Sequence, residues 1–152
     1  MALFFLLVSV FAVVSLPPLR KAPFLRTTRD RAAFAMAVGF LMTGVMHFTT
    51  TERFLGMMPP WLPRHLELVY LSGVFEIVGA LGLLFRSTRR VAAYGLAALL
   101  IAVSPANLHL AMSGGHVEGL PTGAWYYWLR IPFQVVFIAW ALWVARDSDA
   151  AC

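Results

Sequence analysis

The chain has 152 residues, 61% of them hydrophobic and only 12% charged, and its mean hydropathy is +0.78. A soluble domain of this size would need far more polar surface. The net charge of +5 does not indicate nucleic acid, because the basic residues gather in short polar stretches between apolar runs rather than along one stripe.

Several apolar runs of this kind predict an all-α, polytopic membrane helix bundle forming one domain over residues 1–152. A spanning helix needs about 20 apolar residues. The first run, 1–16, ends at Pro17-Pro18, which cannot continue a helix. A signal peptide is the competing reading, but it would carry positive charge before the run. Here Arg20, Lys21, Arg26, Arg29 and Arg31 follow it, so a retained helix is expected. Further helices are expected over about 32–50, 66–85, 91–112 and 125–144, giving five spans.

Loop charge sets the expected orientation. The first loop, the stretch from Arg86 to Arg90 and the tail with Arg146 carry nine basic residues, against Arg53 and Arg64 on the other side. The N-terminus is therefore expected outside and the C-terminus in the cytoplasm. Between the second and third helices, Met57, Met58, Pro59, Pro60, Trp61 and Pro63 exclude a regular helix through the middle. This segment reads equally as an aromatic-belt anchor or as a lid on the outer end. The single cysteine, Cys152, excludes an internal disulfide or a CxxC redox motif.

The polar residues inside the runs are the candidates for function, because a charge at membrane depth costs about 2.5–3.5 kcal/mol. Glu76 shares a stripe with Ser72, Gly73, Gly79 and Ala80, small residues that let a neighbouring helix approach. It lies about 16 Å below the outer end. Gly39, Thr43, His47 and Thr50 form a matching stripe, and His47 either anchors the helix end or serves a site. Ser104 and Asn107 share a face beside Pro105, with Asn107 expected inward. Arg130 and Gln134 share another face, and Arg130 is the natural counter-charge for Glu76. Such a pair can also do no more than fix helix register. The scattered histidines lack metal-ligand spacing, so no metal is expected.

The motifs GVMHF (44–48), MMPPWLP (57–63), YLSGVFEIVGALGLL (70–84), PAN (105–107) and WLRIPFQ (128–134) together resemble the DoxX-like family of small bacterial integral membrane proteins. The resemblance covers about residues 32–145 and implies a four-helix core, here with one extra N-terminal transmembrane helix. It also implies a place in the bacterial inner membrane, within redox or oxidative-stress systems. The family takes its name from a subunit of a thiosulfate:quinone oxidoreductase. With no cysteine inside the membrane runs, direct sulfur chemistry by this chain is not expected.

The leading expectation is a subunit of such a redox system with an outward-opening pocket for a quinone or lipid-like molecule. His47, Glu76, Asn107, Arg130 and Gln134 would supply polar contacts, and Trp61, Tyr126, Tyr127 and Trp128 apolar walls. Membrane lipids and a protein partner or second copy are the expected company, with no covalent cofactor. Two other classes stand beside it: a non-catalytic assembly or scaffold subunit, and a lipid-modifying enzyme using a His/Glu acid–base pair. The charge asymmetry makes one prediction directly. Reporter fusions after Arg90 and after Cys152 should read cytoplasmic and one at Gly115 external; the reverse pattern would refute the assigned orientation.

Overall fold

The computed structural model describes residues 2–19, 22, 24–113, 117 and 124–146. Cys152, Arg20, Lys21 and nearly all of the 113–123 connection lie outside the described residues. Within them the chain is all-helical: α1 (Ala2–Val14), α2 (Thr28–Thr49), α3 (Thr51–Leu55), α4 (His65–Leu84), α5 (Arg86–Ser113) and α6 (Ala124–Ala145). Four of these, α2, α4, α5 and α6, are long and apolar enough to cross a membrane. The first helix is shorter, at 13 residues, or about 20 Å at 1.5 Å per residue.

Two helices start earlier than their apolar runs. At α2 the reason is a capping box: the Thr27 side chain accepts from the Asp30 N–H at 3.0 Å and the Asp30 carboxylate accepts from the Thr27 N–H at 3.1 Å. Such caps contribute about 1 kcal/mol, and this one places Arg29 and Arg31 on the helix. At α5 the basic run from Arg86 to Arg90 is the first turn of the helix, not a loop, because it contains neither Gly nor Pro. One extended residue, Phe85 (φ −102°, ψ 128°), makes the whole turn from α4. The Thr88 hydroxyl donates to the Gly82 carbonyl at 2.8 Å and Arg89 Nε to that of Leu83 at 3.1 Å. These bonds answer carbonyls that the end of α4 leaves open.

On the other side, the Pro-rich connection is preceded by the short α3 and ends at Arg64, whose φ of 55° lies in the left-handed region. Pro105 and Pro132 sit inside α5 and α6 without ending them, as membrane helices allow when neighbours re-satisfy the backbone.

The helices pack in the ring α2–α4–α5–α6, which closes back on α2, and α1 lies outside against α2. Its Phe4 ring sits 4.6 Å from Phe133, and Phe11 meets Trp140 edge-on, so α1 also touches α6. Half of α2 is buried, against 17–28% of the other spans, which makes it the central element. Its inward face is mostly small, with Ala32, Ala33 and Ala35 fully enclosed beside Met36 and Phe40. Large apolar side chains such as Val78, Val91, Ile101 and Val135 instead stand 58–76% exposed around the outside. In water such a surface would aggregate; in lipid it is the ordinary exterior of a bundle.

Glycines set the closest approach. A Cβ on Gly73 would lie 2.6 Å from the His47 Cβ, and one on Gly44 would lie 2.7 Å from Ile77 Cγ1. The backbones of α2 and α4 therefore cross almost in contact. Gly39, expected on the same stripe, instead faces Leu3 and Leu7 of α1. Overpacking of this kind typically costs about 1–3 kcal/mol. Gly73→Val and Gly44→Val should each lower the melting temperature in detergent sharply. Gly95→Ala, where a Cβ meets nothing within 4 Å, should leave it unchanged or slightly raised.

Candidate functional site

The close crossing of α2 and α4 brings Thr43 and His47 against Ser72 and Glu76. Thr43 Oγ1 donates to Glu76 Oε2 at 2.6 Å, and His47 Nε2 lies 3.6 Å from Glu76 Oε1. On its other side, His47 Nδ1 is 2.8 Å from the Val69 carbonyl and 3.1 Å from Ser72 Oγ, whose hydroxyl donates to the same carbonyl. A ring nitrogen this close to a carbonyl carries the hydrogen, which assigns the Nδ1–H form. Nε2 is then the ring atom that faces Glu76. His47 is 7% exposed, and its imidazole stacks on Phe54 of α3 with centroids 3.8 Å apart.

A second group joins α5 to α6. Asn107 Nδ2 donates to Gln134 Oε1 at 3.0 Å, and Gln134 Nε2 donates to Ser104 Oγ at 3.0 Å and to the Leu100 carbonyl. The shared face of Ser104 and Asn107 is thus the one turned to Gln134. Beside them lies a cavity of about 340 Å³, lined by Ser104, Gln134, Pro105 and apolar side chains including Ile131 and Val135.

The third group lies at the end of the bundle that carries the Pro-rich connection. Arg130 Nη1 donates to the Met57 sulfur at 3.1 Å. Tyr127 is 2% exposed, packs in a small core with Leu110, Ala111 and Val117, and accepts from the Val117 N–H at 3.4 Å. Trp61 stands 65% exposed, so it covers none of the polar groups. Phe54 and Met57, from the same connection, do the covering.

The expected pairing of Glu76 with Arg130 is therefore corrected. Arg130 sits near the start of α6, and its side chain leans towards that helix's N-terminus, to Met57 of the Pro-rich connection. Glu76 leans towards the same end and meets Thr43 and His47 first. Gln134 does not bridge them, since its bonds go to α5. Of the residues expected in one pocket, His47 and Glu76 come together, and so do Asn107 and Gln134. Among the described residues no hydrogen bond or ion pair joins these two pairs to each other or to Arg130. No cluster of metal-ligating side chains is found among them.

One polar centre escaped the sequence reading. Asp30, 2% exposed, accepts from Arg89 Nη1 at 2.7 Å and from Arg86 Nη2 at 2.9 Å. It ties the start of α2 to the start of α5. The signal was present: Asp30 is the single acid within a basic stretch and stands three residues after Thr27, the spacing of a capping box.

This bonding makes a contrast that unfolding in detergent can measure. A double-mutant cycle on Thr43→Val and Glu76→Leu should show coupling of about 0.6–1.7 kcal/mol. The cycle on Glu76→Leu and Arg130→Leu should be additive to within about 0.5 kcal/mol.

No curated protein and no solved structure matches the chain. One family does, over residues 36–145, a span that holds α4 to α6, most of α2 and every residue of the three groups. The chain belongs to that family, described as Domain of unknown function (DUF8561).

Proposed function

We propose that the protein is a multi-pass inner-membrane subunit of a membrane-associated redox system, and that it binds a quinone or similar lipid-like molecule between α5 and α6. In this reading α2, α4, α5 and α6 form a DoxX-like four-helix core, and α1 is a fifth membrane segment packed on its side. The N-terminus lies outside and the C-terminus in the cytoplasm.

The observation that carries the ligand assignment is the cavity of about 340 Å³ beside Ser104 and Gln134. A quinone has an apolar ring with carbonyl acceptors at its edge, and binding sites for such molecules combine apolar walls with a few placed polar groups. Here a hydroxyl and an amide stand at one edge, and Ile131, Val135 and Ile138 supply apolar wall. A ligand carbonyl would take over a hydrogen that Ser104 or Gln134 gives to the Leu100 carbonyl. The opening faces the lipid side, since Val135 is 61% exposed, so a ligand carried on a membrane-soluble tail can enter without crossing water. The chain's own part is to bind and orient the headgroup; electrons would come from a partner protein.

A second reading, a scaffold or assembly subunit, is favoured by one specific feature. The buried polar groups bond chiefly to one another, Thr43 to Glu76 and Asn107 to Gln134, as groups that only fix helix register would.

Binding of a short-chain quinone analogue to the purified protein separates the two. The wild type should bind it. Val135→Trp, which fills the cavity from an exposed position, should weaken binding at least tenfold without changing the melting temperature. Phe48→Leu, on a side chain stacked on Tyr70, should bind like the wild type. Absence of binding by the folded wild type, alone or with its co-purifying partner, would leave the scaffold reading in place.

A further inference from the structure

We infer that the end of the bundle at Asp30 binds one anionic phospholipid, with its phosphodiester against Arg86 and Arg89 and an acyl chain along Phe24 and Leu84. The inference rests on the membrane reading of the chain and is independent of the quinone site.

A cavity of about 230 Å³ opens here, lined by Phe24, Asp30, Phe34, Leu83, Leu84 and Arg89. The two charged groups that line it, Asp30 and Arg89, balance each other, and the excess positive charge comes from Arg86, which reaches Asp30 from beside the cavity. Asp30 is the only acid at this end among the described residues, and two guanidinium groups already face it. A third, Arg31, is 8% exposed and is bonded only by neutral oxygens: the carbonyls of Leu25 and Arg26 and the Thr28 hydroxyl. Its Nε is buried without a hydrogen-bond partner. Among the described residues one carboxylate therefore stands against three arginines, an excess of positive charge that favours an anion from outside.

Arg86 is placed to supply the contact. Its side chain is 63% exposed and gives one nitrogen, Nη2, to Asp30; the guanidinium carries further N–H groups that suit a phosphate oxygen. Arg89 is held more tightly, with Nε on the Leu83 carbonyl and Nη1 on Asp30. It supplies a fixed positive wall.

The apolar side selects a lipid over a soluble phosphate. Phe24, 55% exposed, lies 6.0 Å from the Phe34 ring, and Leu84 and Phe85 are 42% and 64% exposed next to Arg86. A headgroup at the arginines would thus lead its chain directly onto apolar surface. Basic pockets between helices at a membrane face have this lipid-binding character.

Native mass spectrometry of the detergent-purified protein, offered equal amounts of phosphatidylglycerol and phosphatidylcholine of matched chain length, tests the inference. One phosphatidylglycerol should be retained in preference to phosphatidylcholine, and excess glycerol phosphate should not displace it. Arg86→Gln should reduce that retention about fivefold, the effect of one basic contact, while Arg64→Gln at the opposite end should not. Phe24→Ser, which leaves every charge in place, should also reduce it; this variant decides the matter if Arg86→Gln fails to fold. Equal retention of the two lipids, displacement by glycerol phosphate, or unchanged retention in the folded variants would overturn the site.

Discussion

The crossing of Gly44 and Gly73 governs most of the molecule. Without side chains at these two positions, α2 and α4 approach until one backbone nearly touches the other. Thr43, next to Gly44, and His47, about one turn further on, are thereby pressed against Ser72 and Glu76. Hydrocarbon offers no water to a polar group, so each needs a protein partner. The crossing supplies those partners at 2.6–3.6 Å. Interhelical polar bonds in membranes contribute only about 0.6 kcal/mol on average, so they set register and orientation. Close packing of small residues, concentrated on α2, provides most of the cohesion.

The other seam follows a different logic. Between α5 and α6 there is no glycine contact of this kind; Ser104, Asn107 and Gln134 reach across instead. Each helix carries a proline close to these residues, and the Leu100 carbonyl accepts side-chain bonds from both Ser104 and Gln134. Linking by longer side chains leaves space, and a cavity lies beside the links. Tight and open seams thus follow from which residue type spans each one. The connection between α2 and α4 has a similar division of labour: Phe54 and Met57 turn in over His47 and Arg130, while Trp61 turns away.

Much of this was legible in the chain. The apolar runs located the four long helices to within a few residues, except where basic residues extended α2 and α5. There the charge suggested loops, although arginine is a good helix former. The small-residue stripe of α4 identified its protein-facing side, and the spacing of Ser104 and Asn107 identified their shared face. The partner of Glu76 was not legible. A long, flexible arginine can reach several places, and its lean towards Met57 depends on where the Pro-rich connection lies, which no periodicity reports. Asp30 was hidden for a related reason: its partners, Arg86 and Arg89, are 56 and 59 residues away, and only the packing of α2, α4 and α5 brings them near.

That separation also bears on how the protein is made. Asp30 leaves the ribosome 56 residues before Arg86, which at about 5–20 residues per second is a wait of roughly 3–11 seconds. During the wait its carboxylate has only the Thr27 cap and surface water to stabilise it. The start of α2 thus gains its Asp30 contacts only once the α4–α5 hairpin, turned by Phe85 alone, delivers its arginines. The contacts that fix this end of α2 are therefore completed by a segment made well after it.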